Sequence, residues 1–272
     1  MSARFMGLML NTTGVILKSP REITLMRRAG EVVYSVLSRA RELARPGVTT
    51  ADLNEVAEDM IAAAGGTAVF KGVENPHARF PFPAALCTSV NEQVVHGVPG
   101  EVTLLEGDIV SVDCGVRLAG YCGDSATTIA VGELSAETKD LLEITELALN
   151  AAVESIRPQR MWSVVASEMQ RIVERAGFSV VRDFVGHGIG RDMHEEPKVP
   201  NYWDSGQKQM DFELVEHMVL AVEPMVNVGT HEVEYGDVDR WVVVTRDRKC
   251  SAHFEHSIAV TKNGADVLTD GG

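Results

Sequence analysis

Acidic residues recur inside runs that otherwise read as buried β-strand. Asp113 closes Ile109-Val110-Ser111-Val112, and Asp124 leads into Ser125-Ala126-Thr127-Thr128-Ile129. Glu223 follows Met218-Val219-Leu220-Ala221-Val222, and Glu255 stands within Ala252-His253-Phe254-Glu255-His256-Ser257-Ile258. Residues 108–117 and 121–131 read as a hairpin with Leu118-Ala119-Gly120 at its turn. Centred between Leu118 and Ala119, that hairpin sets Asp113 directly opposite Asp124. Two ionised carboxylates on one sheet face repel and lose hydration. Either both face water at a turn or an edge, or they share a divalent cation. Glu223 and Glu255 repeat the anomaly downstream, which favours a shared site.

A histidine joins this group. Phe184-Val185-Gly186-His187-Gly188-Ile189-Gly190-Arg191 is too rich in glycine to predict a regular helix or strand. It lacks the Gly-x-x-x-x-Gly-Lys of a phosphate loop. His194-Glu195-Glu196-Pro197 supplies a second histidine, but no His-Glu-x-x-His occurs, which excludes a thermolysin-like zinc helix.

Helices flank the strands. Ser19-Pro20-Arg21-Glu22 carries a cap, a first-turn proline and the acid of a capping box. Apolar residues follow at helical spacing from Leu25 to Ala40, until Pro46-Gly47 breaks the pattern. Thr50 is expected to cap a second helix that ends at Gly65-Gly66. Stretches around 141–156 and 164–176 repeat this unit, and Pro158 precedes Gly177 by the same interval as Pro46 precedes Gly65. Residues 217–226, 240–245 and 252–261 read as later strands. The expectation is an α+β fold with an antiparallel sheet, built from an internal duplication.

Bulk properties narrow the function classes. The formal net charge is −14, which opposes general nucleic-acid binding. Cys87, Cys114, Cys122 and Cys250 form no Cys-x-x-Cys pair and suggest no disulfide framework, so a reduced cytoplasmic protein is expected. The run Phe5-Met6-Gly7-Leu8-Met9-Leu10 is too short for a signal core or a membrane span.

Six blocks occur in an order that resembles the methionine aminopeptidases, within the wider pita-bread family of metallopeptidases. They are Asn91-Glu92-Gln93-Val94-Val95-His96-Gly97-Val98-Pro99, the Asp113/Asp124 hairpin, His187-Gly188-Ile189-Gly190-Arg191, His194-Glu195-Glu196-Pro197, Glu223-Pro224-Met225-Val226-Asn227 and Phe254-Glu255-His256-Ser257-Ile258. The likeness runs from Ser19 to Leu268. The short interval between His194 and Glu223 resembles the type I form. The resemblance implies two pseudo-twofold halves, over about 19–132 and 133–268, with a central antiparallel sheet flanked by helices. It implies one peptidase domain over 19–272 after a short extension, 1–18.

The same resemblance implies two divalent ions, drawn from Co, Mn, Fe or Zn. Asp113 would hold one ion and His187 with Glu223 the other, with Asp124 and Glu255 bridging. The implied reaction removes the initiator methionine from nascent chains whose second residue is small, by attack of a metal-activated hydroxide on the first peptide bond. Glu223 would shuttle the proton, His194 would steady the developing oxyanion, and His96 would sit at the scissile amide. Phe82, Cys87, Met193 and Trp241 would line the methionine pocket. The sequence departs from the family at Arg79, where an aromatic is usual, and at Met193, often phenylalanine. Expected partners are the N-termini of nascent polypeptides and the ribosome, with no nucleic acid, no membrane and a monomeric chain. Two other functions stay open. One is an X-Pro aminopeptidase or prolidase-like enzyme, which usually carries a large extra N-terminal domain. The other is a non-catalytic binding module of this fold, which tends to lose the ligands kept here.

Overall fold

A computed structural model describes residues 14–236 and 240–272. The apolar run Phe5–Leu10 and most of the extension expected over 1–18 lie outside the described residues. Helix α1 (Pro20–Leu43) starts as expected: Ser19 and Glu22 form a reciprocal capping box, and Pro20 occupies the first turn. Helix α2 (Thr50–Ala63) is capped by Thr49 rather than by Thr50. Asp52, third in the helix, completes a box with Thr49, while the buried Thr50 hydroxyl donates to the Gly100 carbonyl at 3.0 Å.

Five strands follow: β1 (Thr67–Ala68), β2 (Leu86–Val90), β3 (Gln93–Val95), β4 (Ile109–Leu118) and β5 (Tyr121–Ala130). The order then repeats with α3 (Ala136–Ser155) and α4 (Trp162–Arg175). Next come β6 (Ser179–Val180), β7 (Gly186–Gly188), β8 (Glu195–Val199), β9 (Val219–Val222) and β10 (Met225–Asn227). The last strands are β11 (Val233–Tyr235), β12 (Val243–Thr245), β13 (Ser251–His253), β14 (His256–Thr261) and β15 (Gly264–Val267). All strand pairs are antiparallel. Each half has its own core. Val33, Leu37, Leu53 and Ile61 of α1 and α2 pack on Leu86, Val110 and Val112. Leu141, Leu149, Trp162 and Met169 of α3 and α4 pack on Leu220 and Ile258. No helix among the described residues is long and apolar enough to cross a membrane.

The β4–β5 hairpin differs in register from the expectation. Its turn is the two-residue Ala119-Gly120, with φ of 50° and 83°, a geometry that matches the twist of paired strands. Leu118 therefore pairs with Tyr121, Asp113 with Ala126 and Asp124 with Gly115. The two aspartates are not directly opposed. They lie diagonally on one face, each across from a small residue.

The long later strands are interrupted at their acids. Pro224 has no N–H for the ladder, so β9 stops at Val222 and β10 resumes at Met225, leaving Glu223 at the break. Glu255 lies between β13 and β14.

His187 sits in a true strand, contrary to the loop expected from its glycines. Those glycines let β7 fit between β8 and β9: a Cβ on Gly186 would lie 2.2 Å from the Ala221 carbonyl oxygen, and one on Gly188 2.2 Å from that of Glu196. Gly186→Ala is expected to destabilise the protein by about 1–3 kcal/mol, the usual cost of overpacking, as a lower denaturant midpoint with an unchanged m-value.

Candidate metal centre and substrate cavity

Asp113 of β4, Asp124 of β5, His187 of β7, Glu223 at the β9–β10 break and Glu255 at the β13–β14 break come from both halves and line one cavity of 310 Å³. Asp124 and Glu255 are each 2% exposed, which removes the alternative of water-facing acids. One ligand-type atom from each of Asp124, His187 and Glu255 lies within 4.8 Å of the others. His187 Nε2 stands 3.7 Å from Asp124 Oδ2 and 3.6 Å from Glu223 Oε1.

The electrostatics of this group are unfavourable on their own. Burial pushes the Asp113 carboxyl up to about 7. Asp124 is raised well above the carboxylate range by burial, then by the charges of Asp113 and Glu223. Glu223 is raised by burial and by Asp113, and Glu255 by burial and by its three acidic neighbours. Asp113 Oδ1, Asp124 Oδ1 and Glu255 Oε1 are buried with no hydrogen-bond partner. His187 is lowered to about 4, first by burial. Its Nδ1 lies 2.9 Å from the Gly188 carbonyl oxygen. A carbonyl can only accept, so Nδ1 carries the proton and Nε2 turns a lone pair toward two carboxylates. A cation between them would satisfy the Nε2 lone pair and both carboxylates, on a ring already oriented by its Nδ1 bond. Orphaned carboxylate oxygens plus one imidazole form a hard, oxygen-rich donor set that fits divalent transition ions.

The cavity is polar at this end and apolar at the other. Phe82 and Trp241 meet edge to face at 5.1 Å, and Trp241 Nε1 donates to the Phe80 carbonyl at 2.8 Å. Cys87 and Met193 also line the space. Burial, then the nearby Asp113 charge, pushes the Cys87 thiol well above its usual range, so it lines the wall as a neutral group and not as a thiolate nucleophile. His96 packs edge-on against Phe184 at 5.6 Å and Trp241 at 6.5 Å, and burial lowers it to about 4. His194 is exposed at the mouth, with its ring centroid 4.4 Å from that of His187.

All eleven residues singled out from sequence thus converge on one cavity. Others were missed. Phe70, set edge-on to Phe82 at 6.5 Å, and Phe184 complete the aromatic wall. Arg79 is exposed and is not among the residues lining the cavity. His253 is buried behind the acids, with Nε2 3.9 Å from Glu223 Oε2. Its only sequence signal was a polar side chain in an apolar strand.

Residues 24–262 match metallopeptidase family M24. The chain is 47% identical to a methionine aminopeptidase of Clostridium perfringens, over 94% of this chain and 98% of the relative. A crystal structure of methionine aminopeptidase from Rickettsia prowazekii superposes with a TM-score of 0.88 at 34% identity, covering 94% of this chain and 99% of that one. A prolidase from Pyrococcus furiosus shares the fold, with a TM-score of 0.70 at 22% identity. This chain covers 65% of it.

Proposed function

The chain belongs to metallopeptidase family M24, and from that membership we propose that it removes the N-terminal methionine from polypeptides whose second residue is small. The observation that carries this reading is one cavity with five convergent metal-type ligands at one end and an aromatic slot at the other. Full-length likeness to methionine aminopeptidases supports it over the prolidase-like alternative, whose members share only the fold.

Asp113, Asp124, His187, Glu223 and Glu255 would hold two divalent ions. Such ions, of Mn, Fe, Co or Zn, supply Lewis acidity and lower the pKa of nearby water toward neutrality. The protein's own groups do the rest. Glu223, whose Oε1 lies 3.6 Å from His187 Nε2, accepts the proton of the attacking water and returns it to the leaving amine. His194 at the mouth donates to the substrate carbonyl oxygen as charge develops there. His96, held by Phe184 and Trp241, positions the scissile amide. The methionine side chain enters between Phe82 and Trp241, where a thioether packs well against ring edges. A free α-amine completes the contacts at the polar end, which restricts the enzyme to the first residue of a chain. We place this activity on nascent chains in the cytoplasm.

A peptide panel tests the assignment. The metal-loaded protein should cleave Met-Ala-Ser, fail on the N-acetylated peptide, and lose activity as the second residue grows from Gly to Trp. Cleavage of an Ala-Pro peptide with none of Met-Ala-Ser would overturn it.

A further inference from the structure

A buried ion pair lies beside the cavity and takes no part in the chemistry above. Lys18 Nζ donates to Glu195 Oε2 at 2.6 Å, and the two side chains are 4% and 7% exposed. Lys18 is itself anchored. Its backbone N–H donates to the His217 carbonyl at 2.8 Å, and Nζ makes a second bond to the Ile16 carbonyl at 2.6 Å. The other oxygen of Glu195 accepts from the backbone N–H groups of Arg191 and Asp192, at 2.9 and 3.3 Å. The Glu195 carboxylate thus closes the turn that leads into Met193 and His194. Successive side chains at the start of β8 point to opposite sides. Glu195 faces Lys18 while His194 faces the cavity, its ring against that of His187.

We propose that Lys18 and Glu195 are positioning residues that set the place of His194 over the substrate carbonyl. The inference rests on the role given to His194 above. A segment preceding the first helix thereby reaches the active site through one buried charge pair. Removing one partner of such a pair leaves the other charge buried and uncompensated. The turn then relaxes and carries His194 with it. A misplacement of the order of 1 Å in a contacting group costs up to about 100-fold in rate.

A double-mutant cycle tests this on the metal-loaded, full-length protein with Met-Ala-Ser. Lys18→Met should lower kcat by about 10- to 100-fold, with metal stoichiometry unchanged. In a His194→Ala background the same substitution should cost nothing further. Lys18→Met with Glu195→Gln removes both charges, keeps an acceptor for the turn, and guards against loss of folding. It should show the same dependence on His194. A kcat loss of equal size in both backgrounds, or no loss, overturns the positioning role alone. An unchanged kcat in His194→Ala by itself overturns the role of His194 and this inference together.

Discussion

Glu223→Gln should lower kcat on Met-Ala-Ser by about 100- to 10,000-fold, the range expected when a general acid–base group is lost. The amide keeps the size of the side chain and one oxygen, so the cavity keeps its shape. What disappears is a group that can take a proton from water. KM should change little, because Phe82, Trp241 and His96 still hold the substrate side chain and amide. Folding should not suffer. Glu223 is a buried carboxyl whose charge raises both Asp124 and Glu255. A neutral amide is buried there without an ionisable group, so the thermal midpoint of the metal-stripped variant should equal or exceed that of the parent. The kinetic measurement is made at saturating metal, with metal content determined in parallel. A kcat within a factor of two of the parent would show that Glu223 is not the proton shuttle.

The helices were legible because several local signals agreed. Ser19, Pro20 and Glu22 all point to one starting residue, and the structure starts α1 there. The cap of α2 was less legible, because Thr49 and Thr50 are equally good cap residues by type. Only Asp52, three residues after Thr49, separates them. The hairpin was legible but its register was not. Moving the turn centre from Leu118/Ala119 to Ala119/Gly120 separates two apparently opposed aspartates, and strand alternation alone does not choose between the two. The acids themselves were legible for an energetic reason: carboxylates in apolar strands need a partner, and four residues with that need converge on one space together with His187. The aromatic wall was harder to read. Phe70 and Phe184 lie in segments that connect strands, where an apolar residue looks like ordinary core until the two halves come together. The strand at His187 was not legible, because glycine in a sequence ordinarily marks irregular backbone. Here it permits a strand to lie closer to its neighbours than any Cβ would allow.

The second large effect is the coupling of metal uptake to protons. Near pH 6 the carboxyls of the metal-free cluster hold their protons more tightly than ordinary carboxylates, since burial raises Asp113 to about 7 and Asp124, Glu223 and Glu255 well above their usual range. An ion needs them ionised, so its binding displaces protons. His187, lowered to about 4, is already neutral at that pH and contributes none. Raised carboxyl values therefore mean that affinity climbs as pH increases, by about a factor of ten per pH unit for each proton released.

Calorimetric titration of the metal-stripped protein with Mn or Co, at about pH 6 in two buffers of different ionisation enthalpy, reads stoichiometry and proton release together. Uptake of two ions per chain with net proton release, and an affinity that rises steeply toward neutral pH, is the predicted result. Absence of saturable uptake, or uptake with no proton release and no pH dependence, would contradict the assignment of these buried acids as a metal centre.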